Sequence, residues 1–324
     1  MRAAVLHTPG APPSYGTHPE PAAGEGRTLV RVTAAPVVPL DLLCASGTSY
    51  FGRPAVPYVP GVQGVGVVER SAVHPVGTRV WFATSAGMAP GDGSLAELCA
   101  VPDGDVVPVT AAVPDALVAA LGLSAVAAWM ALTWRGRLRA GERVLVLGAG
   151  GAVGQVAVGA ARLLGAGRVV AVCRSEEAQE RARRAGADEV VALVADVDEL
   201  TARLAQACDG GVDLVVDPVF GTAATAASQV LAPFGRLVNL GGASGDEAAF
   251  SSSVLRSRSA EVLGYTNNAL RAEQREQALT AVLEHAERGA LGLEHLVLPL
   301  AEVEHGWAGT AQGAGRRVVL QPGA

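Results

Sequence analysis

The 324-residue chain contains no lysine, so arginine supplies its basic charge apart from six histidines. No run of basic residues occurs, and the formal net charge at pH 7 is -6. Proteins that bind nucleic acids bring clustered Lys and Arg to the phosphates, usually as a patch or stripe. The composition therefore argues against a nucleic-acid partner.

Cysteine is scarce, and the four cysteines are far apart at Cys44, Cys99, Cys173 and Cys208. No CxxC pair occurs, which excludes the usual spacing of a zinc knuckle or a redox dithiol. The histidines are equally dispersed, so no cluster has metal-ligand spacing. The N-terminus, MRAAVLHTPG, lacks an apolar core of signal-peptide length, and we expect a cytoplasmic protein with reduced thiols.

Long apolar runs are also few. The segment Ala116–Trp134 approaches the length that spans a bilayer. It is rich in Ala rather than Leu or Ile, and Gly122 and Ser124 interrupt it. We therefore expect a buried helix and no membrane partner.

What the chain does contain is a strand–turn–helix–strand unit at Arg143–Ser175. The apolar run Arg143–Leu147 is typical of a strand buried on both faces. Glycines follow at spacings of three, and apolar residues then recur at helical spacing before Arg168–Val172 predicts a second buried strand. The glycines are Gly148, Gly151 and Gly154.

Such a unit is suited to bind an anion. Glycines let the backbone turn tightly and approach a pyrophosphate, while N–H groups at the helix start point at it. Because the triplet lies between a strand and a helix and a second strand follows, we predict a dinucleotide site. The alternative is a tight turn in an α/β sheet that binds no ligand.

The end of the second strand bears on which dinucleotide is bound. Sites selective for NAD usually place Asp or Glu there to accept hydrogen bonds from the ribose 2′-hydroxyl. This chain has Cys173, Arg174 and Ser175 instead, and a guanidinium with a hydroxyl suits a 2′-phosphate. We therefore favour NADP(H). The alternative is that Arg174 pairs on the surface with Glu177.

The rest of the chain divides into two predicted kinds of structure. Residues 1 to about 114 contain short alternating strands with dense Pro and Gly, which predicts a barrel-like or sandwich domain. After Ser175 helices and strands continue to alternate, and four further strands join the two before Ser175 in a six-stranded, doubly wound parallel sheet. The predicted strands are 143–147, 168–172, 189–193, 212–217, 236–240 and 261–265, and the tail returns to strands at 295–300 and 316–320.

The order of these parts resembles the medium-chain dehydrogenase/reductase superfamily, in particular its zinc-independent quinone oxidoreductase branch. The similarity extends over the whole chain. Each motif alone is weak evidence, but their order and spacing make the resemblance specific. The matching segments are Met1–Leu6, Tyr58–Val68 (YVPGVQGVGVV), Gly141–Gly154, Gly186–Asp188 (GAD), Val212–Pro218, Phe234–Gly242 and Arg317–Leu320. The resemblance implies a Rossmann NADP(H)-binding domain at residues 118–265 and a GroES-like domain at 1–117 plus 266–324.

The departures from the family concern its active site. Zinc-dependent relatives carry Cys where Val38 stands and a His-Glu pair at Val62 and Gln63. The short loop Gly87–Ser94 leaves no room for the lobe with a second, four-cysteine zinc site. We therefore expect no metal. Quinone oxidoreductases usually also have Asn at the position of Val38 and Thr at the position of Ala127.

The resemblance then implies hydride transfer from NADPH to a quinone or an activated C=C bond, with Tyr50 as the candidate proton donor. Tyr50 is equally well explained as a loop aromatic. Phe51 and Trp129 are candidates to line the pocket or the core, and Asp41 is expected to order a turn or pair with an arginine. The predicted cofactor residues are Gly148, Gly151, Ala152, Val153, Gly154, Arg174, Ser175, Leu240, Gly241, Gly242 and Tyr265.

Two alternatives to a quinone reductase stay open at this point. One is a pathway-specific enoyl reductase, and the other is an NADPH-binding redox-sensing or structural protein with little turnover. The family also commonly dimerises through the last strand of its cofactor domain, so Glu261–Tyr265 is the expected edge of a homodimer.

Overall fold

The computed structural model describes residues 1–22, 24–313 and 315–323. The chain forms two compact units, Met1–Leu123 with Gly292–Ala324, and Ser124–Leu291. The division thus falls after residues 123 and 291 rather than after the predicted 117 and 265. Residues 266–291 lie in the second unit, where the His285 ring lies 5.6 Å from the Trp129 ring.

The described residues form the following strands and helices. The strands are β1 (Arg2–Val5), β2 (Ser14–Thr17), β3 (Arg27–Val37), β4 (Gln63–Arg70), β5 (Arg79–Ala83), β6 (Leu98–Pro102), β7 (Val106–Pro108), β8 (Arg143–Leu147), β9 (Arg168–Cys173), β10 (Glu189–Ala192), β11 (Val212–Asp217), β12 (Leu231–Asn239), β13 (Glu261–Gly264), β14 (His295–Pro299) and β15 (Arg317–Gln321). The helices are α1 (Pro39–Ser46), α2 (Asp115–Met130), α3 (Ala152–Leu163), α4 (Glu176–Arg184), α5 (Val197–Ala207), α6 (Gly221–Gln229), α7 (Ser252–Arg258), α8 (Ala272–Glu287) and α9 (Val303–Ala311).

The first unit is built around the long strand β3. It pairs antiparallel with β4, β6 and β15 in a sheet of order β14-β15-β3-β4-β5-β7, and β1 pairs with β2 apart from it. Alternating side chains of these strands, with Trp307 of α9, bury an apolar core. The predicted β-rich domain is confirmed, and the tail strand β15 completes its sheet, as expected.

Three short helices, α1, α7 and α9, are absent from the sequence-based prediction. Helix α1 begins after Val38, with Pro39 at its first position, where proline costs no hydrogen bond. The Asp41 carboxylate accepts the Val38 backbone N–H and so caps this end. Each helix has only seven to nine residues, too few for a helical period to stand out.

The second unit is a six-stranded parallel sheet of order β10-β9-β8-β11-β12-β13. This order is typical of a doubly wound sheet, the fold that the sequence predicts. Strands β8 and β11 have the predicted bounds, because both are rich in the apolar residues that mark strands buried on both faces. Strand β12 begins five residues earlier than predicted, with a register shift against β11 near Phe234.

Helix α2 bends at Gly122, whose φ is 29° and ψ is -129°. It continues as a π-helical turn, Ala131–Arg135. By length and composition alone Asp115–Arg135 could cross a membrane, but 78% of its most apolar stretch of 18 residues is buried within the protein. A core helix of a globular protein can be equally long and apolar, and the burial of this helix agrees with the prediction of a buried helix.

Candidate functional site

The candidate cofactor site lies at one edge of the parallel sheet. The carboxyl ends of parallel strands meet at the same edge, and ligands bind there where the strand order reverses. In this sheet β8 lies between β9 and β11, so the reversal is at β8. The residues that leave this edge are Gly148 after β8, Arg174 after β9, Pro218 after β11, Leu240 after β12 and Tyr265 after β13.

The glycine turn after β8 is so closely packed that three of its glycines, Gly148, Gly150 and Gly154, leave no room for a side chain. Gly148 has a φ of 59°, and its carbonyl accepts the Gly151 N–H at 3.0 Å. A Cβ on Gly154 would lie 2.5 Å from Ala149 Cα and 2.5 Å from the Gly148 oxygen. The first turn of α3 therefore packs directly against the backbone of the turn.

The start of α3 is open to an anion. Its N-cap is Gly151, which has no side chain to accept the first N–H groups of the helix. Ala152 and Val153 follow at the first two helical positions and are partly exposed. These N–H groups and the helix dipole fit the pyrophosphate of a dinucleotide.

The tip of β9 carries the residues that we expect to meet a 2′-phosphate. Arg174 is exposed, and within the described part of the chain it forms no ion pair with Glu177. The Ser175 hydroxyl accepts the Ala178 N–H at 3.3 Å as the N-cap of α4, and its hydrogen bond to the Glu177 carboxylate helps to lower the pKa of that group. Cys173 is buried, and burial raises the pKa of its thiol to about 11.

Two polar side chains that sequence reasoning missed shape the loops after β11 and β12. Buried Asp217 accepts the Val219 and Phe220 N–H groups at 3.0 and 2.7 Å. Burial raises its pKa above the ordinary range. Asn239 donates to the Gly241 carbonyl at 2.8 Å. The sequence could have indicated these two residues, because each is a polar residue at the end of a largely apolar strand, at the edge of the sheet where ligands bind.

The predicted cofactor residues Leu240, Gly241 and Gly242 come directly after Asn239 in the chain. The Leu240 N–H bonds the Asp217 carbonyl at 2.9 Å. A Cβ on Gly241 would lie 2.7 Å from the Pro218 oxygen, so this loop also needs glycine. Gly242 is similarly close to the Gly245 oxygen at 2.9 Å. The loop backbones thus lie directly on one another.

Tyr265 follows β13, and its N–H bonds the Asn239 carbonyl at 2.8 Å. Its hydroxyl donates to Asn267 at 2.6 Å, and the Trp134 ring meets it edge-on at 6.2 Å. Burial raises its pKa. The hydrogen bond to Asn267 holds the ring in place beside the end of β12.

In the first unit, the buried carboxylate of Asp41 joins two segments of the backbone. Its carboxylate accepts the Val38 N–H at 2.8 Å and the Val62 N–H at 2.9 Å. Burial raises its pKa from 3.8 to about 6, although these bonds and the nearby Arg317 guanidinium oppose the shift. Asp41 orders a turn, as the sequence predicts.

The positions that hold zinc in relatives contain no zinc ligands here. Val38 and Val62 are buried aliphatic residues. Gln63 is fully buried, and its Oε1 accepts the Trp81 indole N–H at 3.1 Å and the Leu123 N–H at 2.7 Å. Across the described residues, His, Cys, Asp and Glu form no group of three suited to a metal. These residues do not fit a zinc ion.

The predicted aromatic residues have different environments. Tyr50 is 81% exposed, and its ring lies 4.1 Å from that of Phe51. Trp129 stacks at a tilt against His285. Trp129 is half-buried, so both predicted roles, lining the pocket or the core, stay open. Tyr50 is a surface residue of its unit, and its catalytic role stays a prediction.

We expect Asp41 to give stability an unusual dependence on pH. Its folded pKa of about 6 exceeds its ordinary 3.8, so between these values the folded protein binds the proton more tightly than the unfolded chain does. The free energy of unfolding should therefore fall by up to about 3 kcal/mol as pH rises through this window. Urea unfolding of the wild type and Asp41→Asn across the window measures the effect. Identical pH slopes would contradict it.

Two family models match the chain, one in each unit. Residues 24–111 match the model for the alcohol dehydrogenase GroES-like domain, and residues 152–284 match the model for zinc-binding dehydrogenase. Rattus norvegicus quinone oxidoreductase is 30% identical over 68% of this chain and 66% of its own length. A phenolphthiocerol/phthiocerol polyketide synthase polypeptide of Mycobacterium tuberculosis is 34% identical over 65% of this chain but only 9% of its own length.

Solved structures match over nearly the whole chain. The quinone oxidoreductase of Thermus thermophilus, whose structure includes a complex with NADPH, is 33% identical. The match covers 99% of this chain and 100% of that one, with a TM-score of 0.81. Together with the two matched domains, this shows that the chain belongs to the medium-chain dehydrogenase/reductase superfamily, in its quinone oxidoreductase-like branch.

Proposed function

We propose that the protein is a zinc-independent, NADPH-dependent reductase that delivers hydride to a quinone or an activated C=C bond. The observation that carries this proposal is the ligand edge of the sheet at β8. An uncapped helix start lies there beside a strand tip that bears Arg174 and Ser175. When bound, NADPH supplies the hydride, and the protein's part is to bind and orient.

The residues of the second unit would hold the cofactor as follows. The N–H groups at the start of α3 face the pyrophosphate, and Gly148 and Gly154 allow the backbone to approach it closely. Arg174 and the Ser175 hydroxyl meet the 2′-phosphate. Tyr265, held by Asn267, borders the loop that follows β12.

The residues at the positions that hold zinc in relatives bear on the choice of substrate. A simple alcohol or ketone needs a group that polarises its oxygen, and aliphatic Val38 and Val62 cannot provide one. A quinone or enone is already electrophilic and needs one hydride, one proton and hydrogen-bond donors for the developing oxyanion. Tyr50 is the proposed source of the proton.

Arg174→Asp should reveal the cofactor preference. The substitution replaces a guanidinium with a carboxylate that repels a phosphate, so NADPH should bind about 100-fold more weakly, whereas NADH should change less than threefold. Fluorescence titration with both cofactors measures this. An equal loss for both would remove Arg174 from the 2′-phosphate site.

The activity itself is tested by following NADPH oxidation with benzoquinone, phenanthrenequinone and a simple enone as acceptors. We expect turnover with at least one acceptor, unchanged after treatment with a chelator. Tight NADPH binding without turnover would favour the redox-sensing or structural alternative. Stoichiometric zinc in the purified protein would overturn zinc independence.

A second candidate is a pathway-specific enoyl reductase, favoured by the similarity to a segment of a polyketide synthase. The same chemistry would act on an α,β-unsaturated thioester. Comparison of kcat/KM for a short enoyl thioester and a quinone decides between the two, because the preferred acceptor should exceed the other by at least about tenfold.

We also propose a cytoplasmic protein that forms a homodimer through β13. Strand β13 is the edge of the six-stranded sheet, and Val262 on it is exposed. An unpaired edge offers backbone groups to a second copy of the strand. Sedimentation at twice the monomer mass is the expected result, and a monomer at high concentration would contradict it.

A further inference from the structure

The carbonyl of Gly150, in the middle of the glycine turn, accepts two side-chain hydrogen bonds. Gln155 donates from Nε2 at 2.9 Å, and Arg181 donates from Nε at 3.1 Å. Gln155 is buried in the first turn of α3, whereas Arg181 is half-buried in α4. A carbonyl oxygen has two lone pairs, so the two donors use its whole capacity.

Helix α4 holds Arg181 in a defined position relative to this turn. A Cβ on Gly150 would lie 2.3 Å from the Ala178 Cβ, which means that α4 packs directly against the turn. Arg181 is three residues after Ala178 and so lies on the same face of the helix. Ser175 caps the helix start. The guanidinium therefore has little freedom to leave the turn.

The guanidinium also lies near the tip of β9. Its charge acts on the Cys173 thiol, where it opposes the effect of burial on the pKa. The Ala149 N–H bonds the Val172 carbonyl at 3.1 Å, which joins the turn to the same strand end. Arg181 is thus placed at the junction of the glycine turn and the strand tip.

Arg181 differs from its neighbours in how its charge is used. Arg183 and Arg184 each form an ion pair with Glu180, at 3.5 and 3.6 Å. Among the described residues, no carboxylate lies within ion-pair distance of Arg181, although its charge helps to lower the pKa of exposed Glu177, four residues earlier in α4. Its Nε is taken by Gly150, which leaves the N–H groups of Nη1 and Nη2 for an anion.

We propose that Arg181 is a second residue that determines cofactor specificity, binding the 2′-phosphate of NADP(H) beside Arg174. Its hydrogen bond to Gly150 orients the fork of the guanidinium and at the same time ties the pyrophosphate turn to the 2′-phosphate site. This inference rests on the proposed function, since it requires that the protein binds NADP(H). It assigns a role to a residue seven positions beyond Arg174.

The test measures binding of NADPH, NADH, adenosine 2′,5′-bisphosphate and AMP by calorimetry. The last two ligands lack the nicotinamide and differ in the 2′-phosphate alone. Arg181→Gln should weaken NADPH and the bisphosphate by about 10- to 100-fold, as expected for a lost charge-assisted hydrogen bond, and NADH and AMP by less than threefold. Arg184→Gln, an exposed arginine of the same helix, is the matched control and should change none of the four.

Gln155→Leu shows how cofactor binding changes when only the glycine turn is disturbed and the charge near the 2′-phosphate stays the same. It removes the other donor to the Gly150 carbonyl without changing charge, so it should weaken NADPH and NADH by the same factor. If Arg181→Gln behaves in this way, Arg181 is a structural clamp and the inference is wrong. Unchanged binding of all four ligands would also overturn it.

Arg181→Lys keeps the test decisive should the Gln variant not fold. Lysine keeps the charge but loses the planar fork. We expect the preference for NADPH over NADH to fall by about three- to tenfold, and an unchanged preference would overturn the inference. If the wild type binds neither NADPH nor NADH, the proposed function fails together with it. If the wild type binds NADH as tightly as NADPH, the inference about Arg181 is wrong, whereas the proposal that the protein binds a nicotinamide cofactor stands.

Discussion

Gly154→Ala should weaken binding of NADPH and NADH alike, by about 30-fold or more. The new Cβ would lie 2.5 Å from Ala149 Cα and from the Gly148 oxygen. Both are backbone atoms, so the start of α3 must move away from the turn, which costs about 1–3 kcal/mol of overpacking. The N–H groups that we propose to face the pyrophosphate move with it, and each misaligned bond to a charged group loses about 1.5–3 kcal/mol.

Titration of both cofactors, with thermal melting to monitor folding, checks this expectation. The matched control is Gly264→Ala in the same unit, where a Cβ meets nothing within 4 Å. The control should bind both cofactors as the wild type does. An NADPH affinity within threefold of the wild type in Gly154→Ala would show that the turn does not need the close approach.

Gly122→Ala should destabilise the first unit by about 4 kcal/mol. At a φ of 29° and ψ of -129°, the backbone is in a region that costs other residues about 1–3 kcal/mol. The added Cβ would lie 1.9 Å from Gln63 Oε1. Gln63 is fully buried and bonded to Trp81 and Leu123, so it cannot move without breaking both bonds.

Denaturant unfolding measures this change, and a double-mutant cycle identifies its cause. In a Gln63→Ala background, Gly122→Ala should cost at least about 1 kcal/mol less, because the clashing oxygen is gone. Gly104→Ala is the control, since a Cβ there meets nothing within 4 Å. A loss below about 1 kcal/mol in Gly122→Ala would contradict the clash, and so would additive costs in the cycle.

Both substitutions act at glycines, yet the sequence treats them differently. Gly154 belongs to a pattern of short spacing, from Gly148 to Gly154, that is visible along the chain. Gly122 interrupts an apolar helix, and in the sequence it indicates only that a membrane span is disfavoured. The reason for Gly122 is Gln63, which is far away in sequence and comes close only in the folded unit.

The predicted site shows the same distinction. The glycine turn, the start of α3 and the tip of β9 could be placed because strand, turn and helix are contiguous in sequence. Asp217 and Asn239 were missed as site residues although Asp217 ends a predicted strand and Asn239 is the next-to-last residue of another. Arg181, which we propose to bind the 2′-phosphate, could not be found in this way. The Gly150 carbonyl that it contacts lies 31 residues earlier in the chain.

By itself, the sequence determined the alternation of strands and helices, the β-rich first unit and the glycine turn. These features follow from periodicity and backbone preference, which act between near neighbours in the chain. Only the tertiary structure decided which polar groups meet: Asp41 with Val62, Gln63 with Leu123, and Arg181 with Gly150. The physical reason is that buried polar groups require partners, and packing rather than local preference brings those partners within hydrogen-bond distance.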